Sequence, residues 1–352
     1  MCVLSDARRS RWDDLTPERR LAQPYHDSAV TSRIALLDGW RAVSVFLVMA
    51  GHGLGALQVH AALPIDLSRL GVYIFFVISG YVITRLSLAE RALTGTFSQS
   101  RFMIRRALRI LPPLLLYTAA VTILGASGAT PALSALRALS FTCNMNIPIG
   151  SCGFIFGHTW SLAFEEQFYL LFPFIFMRRT SILALLALLF VLLPLVFDVP
   201  WLGKLTYLQA FLLLTLGCLY AAYQKQIEPE LGKVPAVIML ATCGLGVLWF
   251  ALDAGLVRLL TAPLVPFAIL LLVFAIPARF TWVARCLSIK PLCQIGLYSY
   301  SIYLWQQLFL MPSSADSLIE VCLAILITLL IAAASYHSFE ACFRKIAQRF
   351  KA

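Results

Sequence analysis

Two ionisable side chains, Arg41 and His52, interrupt the first long apolar stretch of the chain, LLDGWRAVSVFLVMAGHGLGAL. Moving charge from water into hydrocarbon is costly, so ionisable groups inside a membrane span are functional candidates by default. The two are eleven positions apart, close to three helical turns. On a helix they therefore face the same way, about 16 Å apart along the axis. A histidine titrates near neutrality and can take a proton from a hydroxyl or a thiol. Gly51 and Gly55 flank it, which leaves room either for a substrate or for a neighbouring helix packed on small residues. Arg41 can meet an anionic ligand arriving from the cytoplasm, or snorkel to the interface as a plain anchor.

Three further groups carry chemistry. RFMIRRALRILPP puts Arg105, Arg106 and Arg109 within one helical turn, ahead of Pro112 and Pro113. Guanidinium groups bind phosphates in bidentate fashion, so a nucleotide-bearing cofactor could dock there; a basic cluster at the inner face is also the ordinary topological anchor. No Gly-rich phosphate loop of the Walker or dinucleotide type occurs. HTWSLAFEEQFYLLFP places Glu165 and Glu166 inside an apolar run, about 10 Å along a helix from His158. Neighbours on a helix point in different directions, so one carboxylate faces a given cavity. One of them could hold and charge-stabilise an imidazole base, as carboxylates do in acyl-transfer sites. The alternative is an ion pair with an arginine of another span. Weaker candidates are Ser79 beside Gly80 in the aromatic wall GVYIFFVISGYVIT, and Tyr298, Tyr300, Tyr303 and Gln306 in LYSYSIYLWQQLFL. Close helix packing and an interfacial aromatic belt compete for those two. Glu340 and Arg344 are spaced for a helical salt bridge. The sequence holds no metal-ligand cluster and no nucleophile elbow.

The elements that must position these groups are membrane helices. Of 352 residues, 60% are hydrophobic and 13% charged, about half the charge of a soluble domain. The apolar residues come in long runs, which predicts an all-α polytopic membrane protein of about ten transmembrane helices. They are expected near 34–57, 70–88, 107–125, 159–177, 181–197, 205–223, 234–252, 257–277, 293–311 and 317–341. Residues 1–33 are polar and lack the apolar stretch of a signal peptide, so a cytoplasmic tail is expected, followed by one membrane domain over 34–344 and a second cytoplasmic tail at 345–352. The inner loop at 89–106 is basic, and the longest outer loop is 126–157. With the N-terminus inside, all Lys and Arg except Arg41, Arg69, Arg137, Lys204 and Arg258 fall in cytoplasmic segments. That asymmetry is the positive-inside rule, so the net charge of +11 is topology and needs no nucleic acid. Cys143 and Cys152 share the outer loop and pair if that side is oxidising; their spacing does not decide it.

Taken in order, LDGWRA, His52, FFVISGYVIT, RRALRILP, HTWSLAFEEQFYL, YSIYLW and SYHSFE resemble the acyltransferase 3 family of integral-membrane acyltransferases, from about Arg33 to Arg344. The resemblance implies about ten spans and transfer of an acyl group, most often acetyl, from cytoplasmic acyl-coenzyme A to a hydroxyl of a glycan, lipid-linked sugar or other small acceptor. The acceptor would be met across the bacterial inner membrane, with both termini cytoplasmic. It matches His52 to the family's catalytic histidine, with Glu165 and Glu166 as its acidic pair. It matches Arg41 to the arginine that precedes the histidine and Arg106 and Arg109 to the paired arginines linked to coenzyme A binding; with Arg105 these four are the candidate donor-binding residues, and Ser79, Trp160, Tyr303 and Gln306 are the candidate substrate contacts. No metal is implied. One departure stands out: many relatives carry a histidine near the position of Gln306, and glutamine cannot exchange a proton at neutral pH. The sequence also lacks the appended hydrolase-like domain of larger relatives, so transfer is expected to finish within the membrane domain. The competing class is a proton-coupled transporter or flippase, with Arg41, His52 and the glutamates as a proton relay; no inverted repeat is visible to support it.

Overall fold

The computed structural model describes residues 28–59, 65–124, 131–145, 152–176, 205–251, 262–311 and 314–350. Every regular element among them is helical. In chain order these are α1 (Ser28–Ala56), α2 (Leu67–Thr94), α3 (Gln99–Ile123), α4 (Pro131–Leu139), α5 (Gly153–Gly157), α6 (Thr159–Phe176), α7 (Leu205–Lys233), α8 (Ala236–Leu248), α9 (Leu264–Leu270), α10 (Ile276–Arg279), α11 (Thr281–Leu287), α12 (Lys290–Phe309), α13 (Leu318–His337) and α14 (Phe339–Gln348). The expected span at 181–197 and most of the N-terminal tail lie outside the described residues.

Three helices, α2, α3 and α13, are long and apolar enough to cross a membrane, or five spans if each of two sharply bent helix pairs is counted as one. Ten spans are therefore not reached among the described residues. The expected span at 181–197 is not among them, and composition lowers the count further. α1 carries Asp38, Arg41 and His52, α6 carries Glu165, Glu166 and Gln167, and α12 carries Gln294, Gln306 and Gln307. Polar and ionisable residues lower the hydropathy of just those helices that hold the candidate site.

Helix ends follow local chemistry. Asp66 caps α2 by accepting from the Arg69 amide, and Gly95 ends it in the left-handed region at φ 75°. Ser98 caps α3 through the Arg101 amide. The expected basic loop 89–106 thus shrinks to the four residues between Thr94 and Gln99, and Arg105, Arg106 and Arg109 ride on the first turns of a helix. α3 continues through Pro112 and Pro113, an interruption that membrane helices tolerate; close by, the Ile110 carbonyl accepts from the Tyr300 hydroxyl at 2.9 Å. The expected outer loop contains α4 and α5, and the expected C-terminal tail begins inside the amphipathic α14.

At the centre α1 packs between α2 and α12, and α2 packs along α7. The α2–α7 contact is backbone to backbone: a Cβ at Gly80 would collide with the Leu214 carbonyl, and one at Gly217 with the Val77 carbonyl. This is how small residues let membrane helices approach. Polar pins hold the pair in register, Tyr73 to Gln209 and Tyr81 to Gln224 at 3.0 Å. Gly80→Val should therefore destabilise the protein by about 1–3 kcal/mol through overpacking. Gly244→Ala, where a Cβ meets open space, should leave the thermal unfolding midpoint in detergent unchanged or raised.

Candidate active site

A cavity of about 810 Å³ lies among α1, α2, α3, α6 and α12. Its lining follows α2 from Val72 to Leu93, about 30 Å of helix. Glu90, Leu93 and Arg105 mark the end at the α2–α3 turn, and Val72, Ser161 and Tyr303 the other. Arg41, Arg106 and Arg109 also face into it, as do Ser79 and Glu165.

The arginines are not equivalent. Arg41 donates to Asp38 at 2.8 Å, one turn earlier on α1. Arg105 pairs with Glu90 at 3.0 Å and donates to the Phe350 carbonyl at 2.7 Å, latching the end of the chain to the mouth of the cavity. Arg106 is held between both glutamates of α6: Nε lies 2.6 Å from Glu166 and Nη2 2.9 Å from Glu165. Its guanidinium lies 3.6 Å above the Tyr169 ring, a cation–π contact. Ser79 on α2 donates to Glu165 at 2.9 Å. Arg109 has no carboxylate partner among the described residues, and its side chain is exposed within the cavity. Of the four, it is the cation left uncompensated for an anionic ligand.

The two open readings of Glu165 and Glu166 are thereby separated. Both carboxylates go to an arginine of another helix, and neither is the partner of His52. The imidazole instead places Nδ1 2.7 Å from Gln306 Oε1, with its ring edge-on to Phe154 at 6.3 Å. Gln306 is fully buried, so it contacts the histidine rather than the cavity where a substrate contact was expected. Trp160 also leaves the cavity: its ring packs edge-on behind Phe76 at 6.0 Å, because its position on α6 turns it toward the aromatic wall of α2. Tyr303 and Ser79 do line the cavity.

His52 itself is not on the lining. The cavity stops at Tyr303, one helical turn before Gln306. The Tyr303 hydroxyl donates to the His158 carbonyl at 2.8 Å and lies 2.8 Å from the Ser161 hydroxyl. Tyr303 is thus the lining residue nearest in sequence to the partner of His52.

Several participants escaped sequence reasoning. Asp38 was readable three residues before Arg41, at salt-bridge spacing. Glu90, Ser161 and Gln307 carry no local signal, since their partners are distant in sequence. Cys143 and Cys152 form a disulfide. Asn144 and Gln167 exchange amide hydrogen bonds at 2.8 and 3.1 Å, tying that segment to α6. Among the described residues no group of three or more His, Cys, Asp or Glu side chains is gathered.

A family model described as an acyltransferase domain matches residues 34–337. The O-acetyltransferase OatA of Staphylococcus aureus strain NCTC 8325 is 29% identical over 361 aligned residues, covering 88% of this chain and 57% of OatA. A putative O-acetyltransferase of strain COL is 28% identical over 360, with the same coverage. The chain thus spans 57% of the length of these curated relatives. No solved structure matches it.

Removing a single partner from the buried Arg106 cluster leaves charge uncompensated, which costs about 3–5 kcal/mol. Arg106→Leu should lower the thermal midpoint in detergent accordingly. Adding Glu165→Gln and Glu166→Gln to it should recover most of the loss; a triple variant no more stable than Arg106→Leu would refute the pairing.

Proposed function

The chain belongs to the acyltransferase 3 family, and on that premise we propose that it is an integral-membrane O-acyltransferase. It takes an acyl group, acetyl foremost, from acyl-coenzyme A at the cytoplasmic face of a bacterial inner membrane. The receiving group is a hydroxyl of a glycan, a lipid-linked sugar or another small acceptor. The observation that carries this reading is the cavity itself, which runs from a cluster of arginines to within one helical turn of the residue holding His52. Its volume of about 810 Å³ is in the range of cofactor-sized sites. The orientation is supported by the distribution of Lys and Arg and by the Cys143–Cys152 disulfide, a bond that persists on the oxidising side of a membrane.

Each residue then has a task. Arg109, with Arg41 and Arg105 beside it, receives the phosphates of the donor. Arg106 is already saturated by Glu165 and Glu166, so it shapes the wall and fixes α3 against α6. The pantetheine arm follows α2 past Ser79 and Phe76 toward Tyr303. His52 removes the proton of the acceptor hydroxyl, whose oxygen attacks the thioester carbonyl. The carbon–sulfur bond breaks, and the imidazolium returns the proton to the departing thiolate. In the covalent variant the imidazole attacks the thioester carbonyl and the thiolate leaves; the acceptor hydroxyl then displaces the imidazole, its proton passing to the thiolate. Labelled donor separates the two routes: label trapped on quenched protein, and absent from His52→Ala, identifies the relay.

The test uses purified protein in detergent with labelled acetyl-coenzyme A and candidate sugar acceptors. An acyltransferase consumes thioester there; a carrier driven by a proton gradient does not. His52→Ala should lower turnover by about 10²–10⁴-fold with the unfolding midpoint retained. Arg109→Ala should raise the apparent donor KM by about 10–100-fold, the worth of one charge-assisted hydrogen bond, with kcat at saturating donor kept. An Arg109→Ala enzyme with wild-type donor KM would remove the phosphate assignment.

A further inference from the structure

Three hydrogen bonds near the end of α12 run in one direction. Gln307 Nε2 donates to the Phe154 carbonyl at 3.0 Å. A backbone carbonyl only accepts, so the amide nitrogen of Gln307 is the atom at that end and its oxygen faces the other way. Gln306 Nε2 lies 3.1 Å from that oxygen and 3.4 Å from the Tyr303 carbonyl. Both are acceptors, so the amide nitrogen of Gln306 is committed to them and its oxygen turns to His52 Nδ1 at 2.7 Å. The amide oxygen cannot donate, so Nδ1 must.

From this geometry we infer that Gln306 and Gln307 form an amide relay that sets the tautomer of His52, with hydrogen on Nδ1 and the lone pair on Nε2. A neutral imidazole has one N–H, so the donor at Nδ1 makes Nε2 the basic nitrogen. Flipping Gln306 alone turns its oxygen onto the Gln307 oxygen and the Tyr303 carbonyl. Flipping both turns the Gln307 oxygen onto the Phe154 carbonyl. Each alternative sets acceptor against acceptor at residues that are 0% and 2% exposed, where such a mismatch is costly. The anchor at Phe154 follows closely on Cys152, so the disulfide-closed segment supports the far end of the relay.

The relay also suits a base that must change charge. When Nε2 takes a proton, the Nδ1–H bond to Gln306 becomes charge-assisted and strengthens. A neutral amide does this without adding another buried carboxylate to the membrane. Gln306 is thus a positioning residue acting through His52, and the departure from histidine at this place acquires a physical role. The use of Nε2 as the catalytic base rests on the acyltransferase reading; the tautomer itself rests only on the hydrogen bonds.

The experiment is nitrogen NMR of protein labelled with 15N-histidine in detergent, with the His52 signals identified by their loss in His52→Ala. Wild type should show a protonated Nδ1 and an unprotonated Nε2 above the titration of the ring. Gln306→Leu should move hydrogen to Nε2 and lower turnover at saturating donor by about tenfold or more. Gln306→Glu keeps an acceptor at Nδ1 and should restore the wild-type tautomer. Gln307→Leu leaves the direct partner in place but releases its orientation, and should give a mixture of tautomers. Hydrogen on Nε2 in the wild type overturns the inference, and this measurement needs only the assignment variant His52→Ala to fold. An unchanged tautomer in folded Gln306→Leu overturns it equally. The expected tautomer in a protein that consumes no thioester would leave the relay standing and defeat the function instead.

Discussion

Arg106 held between Glu165 and Glu166 is the interaction on which the site depends. A lone guanidinium on α3, or a lone pair of carboxylates on α6, would be untenable in a low-dielectric interior. Together they are bonded at 2.6 and 2.9 Å, capped by the Tyr169 ring, and extended to α2 through Ser79. Three helices are thus fastened at one point on the cavity wall. The pairing also sets the electrostatics. Arg41, Arg105 and Arg106 each have a carboxylate, so the cluster that looks strongly cationic in sequence is largely balanced, and Arg109 is left to face the cavity.

Polar fasteners of this kind weaken the hydrophobic character of the helices that carry them. α1, α6 and α12 fall short of the apolarity of a simple span because they hold the site. Compensation comes from packing. Backbones touch where glycines allow it, at Gly80 and Gly217 between α2 and α7, and at Gly296 of α12 against the Asp38 carbonyl of α1. That last contact sits beside the Arg41–Asp38 pair, so the helix bearing both ionisable groups of the first stretch is located by close packing as well as by charge.

The histidine side of the site obeys a different logic. His52 is bonded to a neutral amide, and at the same end of α12 the Tyr303 hydroxyl is bonded to His158 and Ser161. Charge is concentrated toward the α2–α3 turn, and neutral hydrogen bonding around the imidazole.

The sequence by itself determined the class of the protein and the residues worth watching. Long apolar runs specify helices and buried ionisable types announce chemistry, because each is a local property with a known cost in lipid. His52, Arg109, Ser79 and Tyr303 were all visible on those terms. What only the tertiary structure decided was partnership. Whether Glu165 and Glu166 meet His52 or an arginine, whether Trp160 faces the cavity or the wall behind Phe76, and what Gln306 holds depend on helices separated by tens to hundreds of residues. Sequence spacing constrains neighbours on one helix to a few ångströms and says nothing about rotation between helices. That rotation is settled by which glycines let backbones touch and which charges must find each other away from water.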